Sequence, residues 1–149
     1  MDTATSKAKE EAQIRKLMEN WAEALKTRDI DKMMANYSPD VVVFGFAPPL
    51  EVKGADQYRQ IWTDFFAALE GRIGYETRDL EIITQGDVAF SHFLNRINAK
   101  MKGSDDGKGN WMRVTVCFGK IDGRWLVTHE HVSCPIDGRS GKAVLDLEP

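Results

Sequence analysis

The 149-residue sequence has little of the residue patterns that mark several large classes of proteins. It contains 2 cysteines, Cys117 and Cys134, and no CxxC pair, which argues against a disulfide framework or a zinc knuckle. No apolar run approaches the roughly 20 residues that span a bilayer, and the charged first residues do not form a secretory signal. The net charge of −3 offers no basic field to a nucleic-acid backbone. We therefore expect a cytoplasmic protein without membrane or nucleic-acid partners.

Apolar residues at the three-and-four spacing of amphipathic helices predict three helices in the first half of the chain. The first covers about 6–26, and Asp29 caps a short second helix that Ser38-Pro39-Asp40 stops. A third opens near Gly54 and is closed by Gly71. The apolar stripes of the second and third helices consist of Ile30, Met33, Met34 and Tyr37, and of Tyr58, Ile61, Trp62, Phe65, Phe66 and Leu69.

Runs of β-branched and aromatic residues and a period of two predict the strands. One strand covers 41–46, and four more follow the third helix at about 73–84, 88–101, 110–121 and 124–133. Helices followed by hairpin strands indicate an α+β fold, with three N-terminal helices packed in a curved, mostly antiparallel sheet. Such a curl encloses a cavity for a ligand. We expect one domain over 1–149, with 1–7 and 135–149 as less ordered tails.

The order and spacing of several strings resemble the NTF2-like superfamily, and within it the SnoaL-like and ketosteroid-isomerase-related proteins. The strings are residues 21–31, 37–41, Gly54 before the third helix, 86–89 and 122–133, so the resemblance covers about 10–135. It implies a cone-shaped domain with a pocket for a small molecule and a homodimer joined through the sheet. The closing His129-x-His131-x-Ser133 also resembles the association domain of calmodulin-dependent kinase II.

The best-known residues of ketosteroid isomerase are absent from the matching positions. Trp21 stands where that family has a tyrosine oxyanion donor, Gly45 where it has the aspartate base, and Val116 close to its second acid. An indole N–H can still donate a hydrogen bond, but glycine and valine cannot move protons. The resemblance therefore does not imply ketosteroid isomerisation by that dyad.

Strand alternation divides the side chains of the last two strands between two faces. The more apolar set, interpreted as the inner face, comprises Met112, Val114, Val116, Phe118, Leu126, Thr128, Glu130 and Val132. A carboxylate among apolar side chains is desolvated, which raises its pKa toward the range of a general acid or base. Glu130 is therefore the candidate catalytic residue, unless it lies solvated or paired at the rim.

Further side chains are predicted to line the pocket. Asn95 matches a pocket-facing polar position of the kinase association domain and could fix a ligand by hydrogen bonds. The predicted ligand-binding residues are Trp21, Tyr37, Phe44, Tyr58, Trp62, Asn95, Val116 and Thr128. The aromatic members also suit simple core packing, and as a group they predict a flat or apolar ligand.

The opposite face carries a second constellation, formed by Arg113, His129 and His131. Two histidines two positions apart on a strand lie on one face, which suits a metal or acid–base chemistry. Without a clearly placed carboxylate, we predict no metal there and interpret the set as a dimer interface. A bulge in either strand would reverse these faces and move the three residues into the pocket.

Two functions are consistent with these patterns. The first is a cofactor-free isomerase, cyclase or dehydratase that transfers a proton on a partly apolar metabolite, with Glu130 as acid or base. The alternative is a non-catalytic ligand-binding or oligomeric assembly module, as the kinase association domain implies. The chain has no P-loop, dinucleotide fingerprint, GxSxG elbow or HExxH string.

Overall fold

The computed structural model describes residues 3–149 and contains three helices and six strands in that range. The helices are α1 (Thr3–Thr27), α2 (Ile30–Met34) and α3 (Ala55–Ala67). The strands are β1 (Tyr37–Phe44), β2 (Val52–Lys53), β3 (Leu69–Gln85), β4 (Val88–Met101), β5 (Trp111–Ile121) and β6 (Arg124–Ser133). No helix within 3–149 is long and apolar enough to cross a membrane.

The strands form one sheet in the order β2-β1-β6-β5-β4-β3. Only β1 and β6 pair in parallel, so the sheet is mostly antiparallel. The helices cover its inner face, and a buried cluster joins Ile14 of α1 and Tyr58 of α3 to Val43, Phe93 and Val116 of the sheet. The predicted α+β architecture is thereby confirmed.

The second helix is shorter than predicted because β1 begins before the proline. Helix α2 ends at Met34, with the Asp29 side chain accepting a hydrogen bond from the Lys32 N–H as its predicted cap. Tyr37 is already the first residue of β1. The pairing of β1 with β6 shifts register between Tyr37 and Val42, so the ladder does not need the N–H that Pro39 lacks.

The ends of the two longer helices also differ from the prediction. Helix α1 begins at Thr3, so residues 3–7 of the predicted tail are helical, whereas residues 1 and 2 lie outside the described part. Helix α3 ends at Ala67, and Leu69 starts β3 instead of ending the helix. Gly71 has a φ of 75° and falls where the β3–β4 register shifts, so it marks an irregularity of the strand.

A bulge in β6 divides that strand into two halves. Cys117 pairs with His129 but Phe118 pairs with Val127, which leaves Thr128 as an extra residue. Val127 and Phe118 are both buried in the core. The Thr128 methyl group instead lies beside Gly119, on the outer face of the sheet. The predicted inner position of Thr128 is therefore wrong, because the extra residue of the bulge interrupts the two-residue alternation of side chains along β6.

The C-terminal segment 135–149 contains an isolated bridge between Ile136 and Ala143 but no named helix or strand. Glu148 accepts a hydrogen bond of 3.1 Å from the Trp111 indole N–H and lies 3.4 Å from the Lys108 ammonium. This contact holds the segment against the outer side of the sheet at the start of β5.

Candidate functional site

One rung of paired residues crosses the inner face of the sheet and ends beside the candidate catalytic residue. From β3 to β1 its members are Ile82, Ser91, Val116, Glu130 and Val43. Ser91 is 0% exposed, and Glu130 and Val116 are each 7% exposed. The half of β6 that follows the bulge therefore places the Glu130 carboxylate inside the fold, as the alternation predicted.

Two tyrosine hydroxyls hold the Glu130 carboxylate. The Tyr37 hydroxyl donates to Oε1, and the Tyr58 hydroxyl donates to Oε2 over 2.8 Å. Tyr37 stands at the start of β1 and Tyr58 in the first turn of α3, and their ring centroids are 5.5 Å apart. Both tyrosines are buried, so the three side chains form a closed polar cluster in an apolar core.

Among the described residues 3–149, the cluster has no lysine or arginine partner to neutralise a negative charge. Burial raises the pKa of the Glu130 carboxyl, and the two tyrosine hydrogen bonds and nearby His129 offset only part of that shift. Burial and the Glu130 charge raise the pKa of both Tyr37 and Tyr58 well above the ordinary value. The two phenols therefore keep their protons at neutral pH, and Glu130 is the acid of the cluster whose pKa burial raises above the ordinary carboxyl value.

A row of aromatic rings leads away from this cluster. The Trp62 ring lies 6.0 Å from the Tyr58 ring, Trp21 lies 5.7 Å from Trp62, and Tyr75 lies 5.6 Å from Trp21. Trp21, Trp62 and Tyr75 are half-buried, whereas Tyr58 is 7% exposed. The row therefore runs from the buried carboxylate to rings that are partly accessible to solvent.

Asn95 joins the aromatic row from β4. Its side-chain amide lies 3.5 Å from the Tyr75 hydroxyl, at the long limit of a hydrogen bond. Burial raises the pKa of Tyr75 to about 12, so this hydroxyl also keeps its proton. Asn95 pairs with Thr77 and Met112, and it lies two same-face positions along β4 from Ser91, the β4 member of the Glu130 rung.

The structure thus brings together six of the predicted ligand-binding residues with Glu130. They are Trp21, Tyr37, Tyr58, Trp62, Asn95 and Val116. Thr128 and Phe44 lie elsewhere. The Thr128 hydroxyl donates to the Cys117 carbonyl oxygen, and Phe44 is 37% exposed with its ring against His129 and His131. Val43 and not Phe44 points inward, because β1 alternates through this stretch.

The polar constellation of the opposite face stays outside the core in spite of the bulge. The His129 Nδ1 atom lies 2.6 Å from the Val42 carbonyl oxygen, and the Arg113 guanidinium donates to the Ser133 hydroxyl over 3.2 Å. Arg113 and His131 are exposed. Within residues 3–149, no group of three or more His, Cys, Asp or Glu side chains is arranged to hold a metal ion.

Tyr75 is a member of the site that the sequence analysis missed. Ile73 and Tyr75 have the same parity in the predicted strand 73–84, and Ile73 is buried. This alternation was the signal that could have found Tyr75. The pairing of two tyrosines with one carboxylate had no such signal, since the three residues lie on three elements far apart in the chain.

Comparison with known proteins agrees with this architecture. The family model of the SnoaL-like domain matches residues 14–137. An NTF2-like protein of unknown function from Pseudomonas putida is 36% identical over 100% of this chain and 99% of its own, with a TM-score of 0.86. No curated protein gives a match.

Two more distant solved structures share the fold. A ketosteroid isomerase-like protein from Erwinia carotovora atroseptica is 21% identical over 83% of this chain and 95% of its own, with a TM-score of 0.70. A candidate dehydratase of the NTF2-like family from Streptomyces avermitilis is 16% identical over 87% of this chain and 99% of its own, with a TM-score of 0.75. The chain therefore belongs to the SnoaL-like family and has the NTF2-like fold.

Proposed function

We propose that the protein is a cofactor-free enzyme that transfers a proton on a small, partly apolar metabolite, as in isomerisation, cyclisation or dehydration. The observation that supports this most is the Glu130 carboxylate. It is buried, has no lysine or arginine partner in the part of the chain that the structure describes, and is held by two tyrosine hydroxyls at the end of an aromatic row. A carboxyl whose pKa is raised toward the working pH transfers protons efficiently in both directions. The isomerase-like and dehydratase names of two structural relatives agree with this class.

The hydrogen bonds of the cluster use only part of the acceptor capacity of Glu130. An ionised carboxylate has about four acceptor positions on its two oxygens, and the two tyrosines occupy one position on each. A free position takes a proton from a carbon or hydroxyl of the substrate. The same proton then returns to another substrate atom in an isomerisation, or to a leaving hydroxyl group in a dehydration. Asn95, Trp21 and Tyr37 position the substrate in this scheme.

Proton exchange with solvent tests the proposal without knowledge of the natural substrate. The probe is 2-indanone, a flat bicyclic ketone whose C–H groups next to the carbonyl exchange with D2O when a base removes their protons. We expect the wild-type protein to accelerate this exchange, and Glu130→Gln to abolish the acceleration while the fold is retained, because an amide cannot accept the proton.

Glu10→Gln is the matched control for this experiment. Glu10 is also a carboxylate with two hydrogen-bond donors, Trp125 and Lys120, but it belongs to a separate cluster. This variant should exchange the probe at the wild-type rate. Full exchange activity in a folded Glu130→Gln protein would disprove the role of Glu130.

The second candidate function is a non-catalytic assembly module that pairs with a second copy of the chain through the sheet. The outer face exposes three apolar side chains near one another, Ile83 at 38%, Phe90 at 43% and Val88 at 62%. Ile83 pairs directly with Phe90, and Val88 opens the same strand as Phe90. Light scattering tests this function: a dimer that Phe90→Asp converts to a monomer supports it, and a wild-type monomer at micromolar concentration contradicts it.

A further inference from the structure

Three side chains on the outer face of the sheet converge on one carboxylate. Arg96 of β4 pairs with Trp111 of β5, and its guanidinium lies over the Trp111 ring, 4.8 Å from the centroid. The Trp111 indole N–H donates to Glu148 Oε2 over 3.1 Å. The other oxygen of Glu148 lies 3.4 Å from the Lys108 ammonium and 3.8 Å from the Arg96 guanidinium. Arg96, Lys108 and Trp111 thus form one site, which we call the outer carboxylate site.

The outer carboxylate site is held in place by contacts that do not involve the carboxylate bound in it. The Arg96 Nε atom donates to Glu76 on β3 over 2.8 Å, and Glu76 also accepts from the Asn98 amide over 2.7 Å. The Asn98 carbonyl oxygen accepts from the Gly109 N–H over 2.9 Å, which fixes the loop between β4 and β5. The sheet and this loop therefore position the donors of the site in advance.

The segment 145–149, which supplies the bound carboxylate, has few contacts with the sheet. Within residues 3–149, the Val144 N–H donates to the Pro135 carbonyl oxygen, and no backbone–backbone hydrogen bond involves any later residue. The Pro149 carbonyl oxygen lies 3.5 Å from the Arg78 guanidinium, at the long limit of a hydrogen bond. Side-chain contacts of Glu148 therefore provide most of the attachment.

These side-chain contacts are weak enough to be exchanged. Both ion-pair distances of Glu148 exceed the roughly 2.7–2.9 Å of good charge-assisted hydrogen bonds. Ion pairs between exposed groups contribute little to stability. Leu145 and Leu147 are exposed, and a cavity of about 200 Å³ lies between the segment and the loop that carries Lys108. The segment therefore resembles a bound ligand that another chain can replace.

We propose that the outer carboxylate site is a docking site for an extended acidic segment of a partner protein, and that residues 145–149 occupy it in the free protein. An indole N–H only donates, and the two cations next to it favour an acceptor with negative charge. The contact of Arg78 with a backbone carbonyl oxygen one residue beyond Glu148 adds a second point of recognition. The ligand is therefore a peptide with a glutamate side chain, and the proposal does not depend on the role of Glu130.

The full-length variants Glu148→Gln and Asp146→Asn test the proposal. Each keeps the segment and removes one negative charge, but only Glu148 lies in the site. The probe is an acetylated peptide with the sequence of residues 144–149, and a second peptide carries Gln in place of its Glu. The backbone N–H signal of Leu147 in nuclear magnetic resonance spectra measures how much peptide displaces the segment.

The peptide should displace the segment of Glu148→Gln at a concentration roughly five times lower than in the wild type. The reason is that the segment competes with the peptide from within the same chain, and the variant weakens this competition. Asp146→Asn should behave like the wild type. The Gln peptide should bind each protein roughly five times more weakly than the Glu peptide.

The Trp111 indole N–H signal gives a second measurement, with Trp111→Phe to assign it. We expect this signal to move upfield in Glu148→Gln, because a carboxylate is a stronger acceptor than an amide. The Glu peptide should move it back downfield and the Gln peptide should not. The Trp125 signal is the internal control, since its N–H donates to Glu10.

Equal affinity of the wild type and Glu148→Gln, equal affinity of the two peptides, absence of binding, or an unmoved Trp111 signal would overturn the proposal. Light scattering identifies the source of the bound segment. A wild-type dimer that Glu148→Gln converts to a monomer would mean that a second copy supplies the segment, which contradicts docking of a partner protein. The same oligomeric state in both proteins supports it.

Discussion

Two carboxylates of this protein accept two hydrogen bonds each, and yet their pKa values move in opposite directions. Glu10 of α1 accepts from the Lys120 ammonium over 2.8 Å and from the Trp125 indole over 2.6 Å. The Lys120 contact is the main reason that the pKa of Glu10 is lowered. Glu130 accepts from two neutral phenols in the core, and burial raises its pKa.

The comparison shows that the charge of the donor and the depth of burial matter more than the number of hydrogen bonds. A charged donor favours the ionised carboxylate strongly, and so Glu10 remains a fixed negative charge that ties α1 to the sheet. Two neutral donors only reduce the cost of burying a charge. Glu130 is therefore the carboxylate whose protonation state is easily changed, which is the property a proton-transfer site needs.

The largest expected effect comes from removing the neutral donors. In the double variant Tyr37→Phe/Tyr58→Phe, ionised Glu130 loses both hydrogen bonds, and each hydrogen bond to a charged group contributes about 1.5–3 kcal/mol. We expect the free energy of unfolding in urea to fall by about 3 kcal/mol or more at a pH above the raised pKa of Glu130, where it is ionised, and by less at about pH 4, where it is protonated. Tyr75→Phe is the control, since its hydroxyl contacts Asn95 and not Glu130. An equal loss at both pH values would contradict the charged state of Glu130.

The pH dependence of stability should have opposite signs at the two carboxylates. An unfolded glutamate titrates near about 4.3. The raised pKa of Glu130 means that the folded protein binds the extra proton above this pH, so its contribution to stability falls as pH rises from about 4.3 to the raised value. The lowered pKa of Glu10 gives stability that is present above about 4.3 and lost as pH falls through the folded value.

Urea unfolding of the wild type, Glu130→Gln and Glu10→Gln measures how stability depends on pH at each of the two carboxylates. The pH range is roughly 3 to 9, which covers ordinary and raised carboxyl pKa values. The wild type should lose stability relative to Glu130→Gln as pH rises, and gain stability relative to Glu10→Gln over the acidic part of the range. Parallel curves for the wild type and Glu130→Gln would show that Glu130 has an ordinary pKa in the folded protein.

The sequence contained most of the fold and part of the site. Periodicity predicts the helices and strands because each buries one face, and Glu130 falls on the inner face by alternation alone. Thr128 shows where this reasoning stops, since a bulge is a property of the pairing between strands and not of one strand. Tyr37 shows the same limit: its apolar spacing fits the second helix, but pairing with Val127 places it in β1.

The contrast between the two carboxylates was not predictable from the chain. Glu10 and Glu130 lie 110 and 93 residues from Lys120 and Tyr37, their respective partners. Contacts over such separations depend on how α1 packs on the sheet and how β1 pairs within it, and the local sequence around each glutamate does not indicate them. The sequence could name Glu130 as a candidate, but only the fold shows that neutral donors surround it.

A smaller effect is expected from removing the charged donor of the Glu10 cluster. Lys120→Met keeps the length of the side chain and deletes the ammonium, and both partners are partly exposed, which limits the contribution of the pair. We expect a loss of about 1 kcal/mol in the free energy of unfolding at neutral pH and a rise in the pKa of Glu10. The carboxyl resonances of the protein give that pKa, and an unchanged pKa would mean that Trp125 alone keeps Glu10 ionised.

The smallest effect should come from Ser91, whose rung on the inner face also contains Glu130. The Ser91 hydroxyl is fully buried and has no hydrogen-bond partner in the described part of the chain. Folding therefore removes its hydrogen bonds to water and does not replace them. Ser91→Ala removes that unsatisfied group and should leave the free energy of unfolding unchanged or raise it by up to about 1 kcal/mol. Thr128→Val is the matched comparison, because it deletes a hydroxyl that donates to the Cys117 carbonyl, and it should lower the same quantity by about 1 kcal/mol. A loss at Ser91 as large as at Thr128 would show that the Ser91 hydroxyl is satisfied by a buried water, and would extend the polar part of the interior from Glu130 across two further strands.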